Sequence, residues 1–221
     1  MNEDLQRNRL APSNRLVDFY GREFLVTPDV LIPRPETEML IDALLNLIGK
    51  AYLPGVKPGK AKLPEDLVLI DVGTGSGCIA VTAKLELPKA RVLATDISEK
   101  ALIIAQKNAE RLGAEIEFYQ VDLIEQLDMK PDLIIANLPY VDESWEWLNK
   151  DALSTEPSIA LYAKEGGLAL VFKLIDQATD KQISHLLIEA DPCQHERILR
   201  YANKKGLTLR ETRGFAIYLS E

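Results

Sequence analysis

Leu67–Ala80 reads LVLIDVGTGSGCIA, and the rest of the chain is arranged around it. The apolar run Leu67–Ile70 stops at Asp71, then Gly73, Gly75 and Gly77 follow, and a helix-like apolar pattern comes after them. A buried strand, a tight turn and a helix N-terminus account for that order. Glycine suits such a turn because it accepts φ > 0 and lets the backbone lie against a ligand.

Downstream, strand and helix patterns alternate. Strands are predicted at 67–72, 91–95, 115–120, 131–136, 185–190, 207–211 and 214–219, and helices at 77–87, 98–112, 168–181 and 192–205. Such alternation implies a parallel sheet with helices on both faces. The last two strands meet near Arg213-Gly214 with too little chain for a crossover, so the final strand must run antiparallel. The expected fold is α/β, a Rossmann-like, seven-stranded, mostly parallel sheet, whose ligands sit beyond the carboxyl ends of the strands.

Upstream, residues 1–18 are polar and weakly patterned, a short helix or a frayed tail. Phe19–Ile32 looks like a hairpin or extended arm, with turn signals at Gly21 and Pro28-Asp29. In PRPETE, Pro33 and Pro35 hold the chain extended, and Glu36 and Glu38 complement a helix N-terminus. Leu40, Ile41, Leu44, Leu45 and Ile48 then recur at helical spacing until Gly49. Lys50–Pro64, with its prolines and lysines, reads as a surface linker, the alternative being a basic contact site. The expected division is therefore 1–49 as arm, hairpin and helix, 50–65 as linker, and 66–221 as the main domain.

The 221 residues can bury a large core, and 47% hydrophobic with 27% charged residues is an ordinary globular balance. A net charge of −8 argues against non-specific nucleic-acid binding, which needs clustered Lys and Arg. Cys78 and Cys193 form no disulfide framework and no metal spacing, which suggests reduced cytoplasmic thiols and no metal. The start MNEDLQRNRL has no apolar core of a signal peptide, and no stretch approaches a membrane span.

The residues with chemical potential fall at strand ends. Gly73, Thr74, Gly75, Ser76 and Gly77 would form a ligand-cradling turn, although Cys78 stands where a dinucleotide fingerprint wants a third glycine or alanine. Asp96 ends RVLATD and could accept both ribose hydroxyls of a nucleoside; capping the next helix is the alternative, but Ser98 can do that alone. Asp122 ends EFYQVD and could accept from an adenine amino group while Leu123 supplies backbone and apolar contact, or it is a turn aspartate. Asn137-Leu138-Pro139-Tyr140 follows the fourth strand, beside the first. Asn137 offers a carbonyl acceptor and Tyr140 an aromatic face, which together could hold a planar amide or aminopurine. The alternative is an Asx-Pro turn with a buried tyrosine. Trp145 and Trp147 could belong to a lid or pack on the core surface, and neither His185 nor His195 lies near these motifs.

The spacing Asp71-x-Gly73-x-Gly75-x-Gly77 resembles the first motif of class I S-adenosylmethionine-dependent methyltransferases. More specifically, the chain resembles HemK-type protein-(glutamine N5) methyltransferases, which modify the Gly-Gly-Gln glutamine of peptide-chain release factors. GREFLV at Gly21–Val26, VLIPRPETE at Val30–Glu38, the Asn137–Tyr140 tetrapeptide, and Glu156–Leu161 followed by Gly166-Gly167 carry that likeness, which runs from about Phe19 to Gly167. The resemblance implies S-adenosylmethionine as cofactor, a release factor as protein partner and a cytoplasmic setting; no membrane partner is expected, and the net charge of −8 weighs against nucleic acid. Leu138 stands where the family usually has proline, which loses rigidity but keeps a backbone carbonyl. The family usually carries an N-terminal helical domain, for which only about the first eighteen residues could stand in.

In the implied reaction Asn137 and the Leu138 carbonyl accept the two hydrogens of a glutamine amide, and positioning supplies much of the rate. Two competing readings remain: an adenine amino-methyltransferase on RNA or DNA, which could stack a flipped base on Tyr140, and a cofactor-binding module without catalysis.

Overall fold

The computed structural model describes residues 14–50, 62–146 and 156–221. Most of the linker and Trp147 lie outside the described residues. In chain order the elements are β1 (Arg15–Phe19), β2 (Arg22–Val26), α1 (Glu38–Leu47), β3 (Val68–Val72), α2 (Cys78–Glu86), β4 (Arg91–Asp96), α3 (Glu99–Leu112), β5 (Glu117–Gln120), β6 (Leu133–Ala136), α4 (Ala169–Asp180), β7 (His185–Glu189), α5 (His195–Lys204), β8 (Thr208–Arg213) and β9 (Ala216–Ser220).

Strands β3 to β9 make one seven-stranded sheet in the order β5-β4-β3-β6-β7-β9-β8. β3 pairs in parallel with both β4 and β6, and β6 in parallel with β7. The final strand is antiparallel to both its neighbours, as the short Arg213-Gly214 connection requires. The hairpin folds inward, so β9 rather than β8 pairs with β7. The strand order reverses between β3 and β6, which opens a crevice at their carboxyl ends.

Side-chain alternation along the central strands feeds two apolar cores. Leu69, Leu133, Ile135 and Leu187 face one side, where α1, α2 and α3 pack; Ile70, Val72, Ile134, Leu186 and Ile188 face the other, under α4 and α5. Leu40, Ile41, Leu44 and Leu47 of α1 are buried against the first side. Each such side chain contributes roughly 1.5–3 kcal/mol, so the segment after PRPETE is firmly anchored to the sheet.

The N-terminal hairpin differs from the sequence expectation at its start. β1 begins at Arg15, inside the stretch expected to be a tail or short helix, and pairs with β2 from Arg15↔Val26 to Phe19↔Arg22. Its turn is Tyr20-Gly21, with φ of 51° and 69°, the double positive φ that suits a two-residue hairpin. Charged Arg15 and Asp18 mask this strand in the sequence, while Phe19 and Phe24 bury their rings edge to face at 6.0 Å. Pro28-Asp29 forms a separate turn, closed by Val30 N donating to Thr27 O at 3.2 Å.

Candidate active site

The glycine turn leaves β3 and crosses over the end of β4, where the N–H groups of Gly73 and Thr74 donate to Thr95 O at 2.8 and 2.9 Å. Beneath it, Asp71 is fully buried; its Oδ2 accepts from Thr74 Oγ1 at 2.6 Å and from Ala80 N at 3.1 Å. Burial pushes the Asp71 carboxyl up to about 7, against the pull of those two hydrogen bonds. Asn108 of α3 ties the turn to the hairpin: Leu25 N donates to its Oδ1 at 2.8 Å, and its Nδ2 donates to Leu25 O and Ser76 O, both at 2.9 Å.

A cavity of about 230 Å³ lies over these strand ends. Gly73, Thr74, Gly75, Ser76, Asp96, Asp122, Leu123, Asn137, Leu138 and Pro139 all line it, so one crevice gathers most of the residues the sequence singled out. Gly77 and Tyr140 do not line it. Gly77 instead packs against α3, where an added Cβ would meet Ala105 at 3.0 Å.

Asp96 is less free than its position suggested. Its Oδ2 accepts the N–H of Gly75 and its Oδ1 the N–H of Ser98, each at 2.9 Å. Ser98 does cap α3, accepting from Ala101 N at 3.2 Å. Burial raises the Asp96 pKa, while backbone N–H groups of Ser98, Gly75 and Ile97 oppose the rise. Each carboxylate oxygen can accept more than one hydrogen bond, so acceptor capacity remains. Asp122 is half exposed, with Lys173 Nζ 2.6 Å from its Oδ2. Leu123, which lines the cavity, holds a left-handed backbone with φ 56°.

The tetrapeptide after β6 is held from three sides. Asn137 Nδ2 donates to Thr37 Oγ1 at 2.9 Å, which joins the loop to PRPETE. Tyr140 turns away from the cavity and donates its hydroxyl to Glu189 Oε1 at 3.0 Å. Burial and Glu189 raise the Tyr140 phenol far above its ordinary value, so it remains a donor. The Tyr140 carbonyl accepts from Gln194 Nε2 at 2.8 Å, and the same nitrogen donates to Gly166 O at 2.8 Å. Gly167 has φ 82°, and a Cβ there would lie 1.9 Å from Tyr140 O. Only glycine permits that approach.

Two stretches far apart in sequence close the rim. Glu156 Oε2 accepts from Ile32 N at 2.9 Å, and Arg34 pairs with the same carboxylate. Val30, Leu31 and Pro33 line the cavity from one side, Ile159 and Ala160 from the other. Trp145, partly buried, follows the tetrapeptide but does not line the cavity.

Sequence reasoning passed over Thr37, Glu189, Gln194 and Asn108. Glu189 carried a visible signal: it ends an apolar strand at the same sheet edge as Asp96. Asn108 was detectable as a polar residue on the apolar face of α3, beside Ala101, Ile104 and Ala105. Thr37 and Gln194 had no local signal, since their partners lie 100 and 54 positions away.

The strand order and the glycine turn after β3 define a class I methyltransferase fold. The chain belongs to the methyltransferase small domain family, whose model matches residues 61–186. It is 42% identical over 163 residues to a release factor glutamine methyltransferase of Enterococcus faecalis, covering 73% of this chain and 54% of that protein. A protein of the same description from Bacillus subtilis is 48% identical over 128 residues, covering 57% of this chain and 41% of the relative. The chain thus spans about half the length of the curated relatives it matches. Among solved structures, a ribosomal protein L11 methylase from Lactobacillus delbrueckii subsp. bulgaricus is 25% identical with a TM-score of 0.55, over 85% of this chain and 78% of that one. Among the described residues, no helix is long and apolar enough to cross a membrane.

Proposed function

We propose that the chain transfers a methyl group from S-adenosylmethionine to the side-chain amide nitrogen of a glutamine in a protein, the Gly-Gly-Gln glutamine of a peptide-chain release factor. The observation that carries this reading is the Asn137–Thr37 hydrogen bond at 2.9 Å. With its Nδ2 given to Thr37, Asn137 keeps Oδ1 as an acceptor for an amide N–H at the cavity. Membership of the small-domain family and the likeness to release factor glutamine methyltransferases support the choice of reaction and partner.

The cavity suits the cofactor. A Cβ on Gly75 would meet no protein atom nearer than 4.0 Å, so backbone at this position is open to a ligand. Asp96, on the same wall, has the acceptor chemistry for ribose hydroxyls, and Ile97, Leu123 and Leu138 supply apolar surface for a ring. Asp122 and Leu123 take the adenine end, with the Asp122 carboxylate shared with Lys173. When bound, S-adenosylmethionine supplies an electrophilic methyl group.

The protein's part is orientation. Asn137 Oδ1 and the Leu138 carbonyl accept the two hydrogens of the substrate amide and aim its nitrogen into the cavity. An amide nitrogen is a weak nucleophile because its lone pair is delocalised, so fixed geometry and acceptors matched to the developing positive charge lower the barrier. The methylated nitrogen is acidic and loses its proton to water, and no general base is assigned. Tyr140 acts from behind, by holding the loop, and Pro139 stiffens it. Such a substrate places the protein in the cytoplasm.

The test is incubation with tritiated S-adenosylmethionine, a release factor and, separately, RNA, followed by mass-spectrometric location of the label. Label on the Gly-Gly-Gln glutamine is expected. Label in RNA alone would replace this reading with the adenine one.

A further inference from the structure

We propose that Thr37 and Glu189 are positioning residues, and that a directed line of hydrogen bonds, Asn137 to Thr37 to Glu189, determines which end of the Asn137 amide faces the substrate. The inference rests on the reading above, in which Asn137 accepts from a planar amide.

Thr37 and Asn137 line the cavity, while Glu189 does not. Thr37 is 2% exposed and Glu189 1% exposed. Asn137 Nδ2 donates to Thr37 Oγ1 at 2.9 Å, and Tyr140 donates to Glu189 Oε1 at 3.0 Å. The other carboxylate oxygen, Glu189 Oε2, is buried without a hydrogen-bond partner among the described residues. Leaving such an atom unsatisfied is costly. The Thr37 hydroxyl has accepted one hydrogen bond and still has its own proton to place, and a hydroxyl rotates to suit its neighbours. Thr37 and Asn137 both lie near enough to Glu189 to favour its charged form. A carboxylate can only accept. Its charge therefore turns the Thr37 proton toward itself, which leaves a Thr37 lone pair for Asn137 Nδ2 and presents Oδ1 to the cavity. With the amide reversed, N–H would face N–H and the substrate amide would be repelled.

The groups facing Glu189 decide its charge. Burial is the largest influence and Glu36 adds to it, while hydrogen bonds from Thr37, Tyr140 and Asn137 oppose the rise, which leaves the carboxyl raised to about 7. Asp191, on the loop after β7, acts on the partner Tyr140. A protonated Glu189 could donate, and the direction of the line would no longer be imposed.

The experiment uses the whole chain and its Thr37→Val, Thr37→Ser and Glu189→Gln variants. Nuclear magnetic resonance follows the Glu189 carboxyl carbon and the Asn137 side-chain amide from pH 5.5 to 8.5. In the parent protein the Asn137 amide should titrate with the Glu189 midpoint; Thr37→Ser should keep that coupling and Thr37→Val should lose it. An Asn137 amide indifferent to Glu189 titration overturns the inference, as does coupling that survives in Thr37→Val. In the methylation assay, Thr37→Val and Glu189→Gln should lower kcat about 10- to 100-fold with cofactor Kd unchanged, and Thr37→Ser should restore it. The acid limb of the kcat profile should vanish in Glu189→Gln. Unchanged kcat in both variants overturns the inference. A parent protein that methylates no Gly-Gly-Gln substrate removes the functional reading instead, and the resonance titration still decides the hydrogen-bond line.

Discussion

Asp96 Oδ2 accepts the backbone N–H of Gly75 at 2.9 Å, so the carboxylate at the end of one strand props up the glycine turn at the end of the next. One side chain therefore shapes the cradle and faces the proposed ligand. Asp96→Ala should weaken S-adenosylmethionine binding by about 10- to 100-fold, the loss of a charge-assisted hydrogen bond worth roughly 1.5–3 kcal/mol. Titration calorimetry measures this directly. An unaltered Kd would exclude a ribose contact for Asp96.

Asn137→Ala separates binding from transfer. The variant should hold the cofactor with little change, since Asp96 and the glycine turn are untouched, but turn over at least about 100-fold more slowly because the amide loses its acceptor. Single-turnover assays with tritiated cofactor give the comparison. Full turnover would remove Asn137 from the mechanism.

Gly167→Ala tests the rear support of the tetrapeptide. The added Cβ would lie 1.9 Å from Tyr140 O and 2.5 Å from Gln194 Nε2, on a backbone with φ 82°. Relief requires moving the Tyr140 carbonyl or the glycine pair. The strained backbone alone costs about 1 kcal/mol or more. A lower midpoint in urea, together with reduced turnover, is expected; native values for both would show that this contact is not rigid.

Asn108→Ala should cost roughly 2–4 kcal/mol, because it removes one acceptor and one shared donor and strands one buried and two partly buried backbone groups. The groups affected are both polar atoms of Leu25 and the Ser76 carbonyl. Denaturant unfolding measures the loss. The hairpin and the glycine turn should loosen together, visible as faster amide exchange at both.

Asp71 makes stability fall as pH rises. Its ordinary pKa of 3.8 is raised to about 7 in the fold, so between those values the native state binds more protons than the unfolded one. Stability from this group is present at low pH and declines up to about pH 7, by up to roughly 4 kcal/mol. Asp71→Asn keeps an oxygen for Thr74 and Ala80 and cannot ionise. Urea unfolding at pH 5 and pH 7.5 should show a smaller acid-to-neutral loss in the variant than in the parent. Equal differences would mean that Asp71 ionises normally.

Much of the site is legible in the sequence pattern. Apolar runs ending in Asp71, Asp96 and Asn137, set in alternating strands and helices, are bound to bring those residues to one edge, because parallel strands all point the same way. The same logic extends to Glu189, which ends the fifth strand of the sheet but lacks a motif around it to draw notice. The hairpin starts a few residues ahead of its expected position because charged Arg15 and Asp18 disguise an edge strand as a tail.

The linear order of residues thus determined the sheet, its reversal of strand order and the crevice, since periodic apolar patterns and short connections allow few ways to cover such strands. Tertiary structure alone decided the company each polar atom keeps: Asn137 with Thr37, Tyr140 with Glu189 rather than with the cavity, and Glu156 with Ile32 across 124 positions. Those pairings depend on how loops from separate elements meet at the rim. A hydrogen bond is a matter of tenths of an ångström and of which atom donates, and neither is encoded in local periodicity.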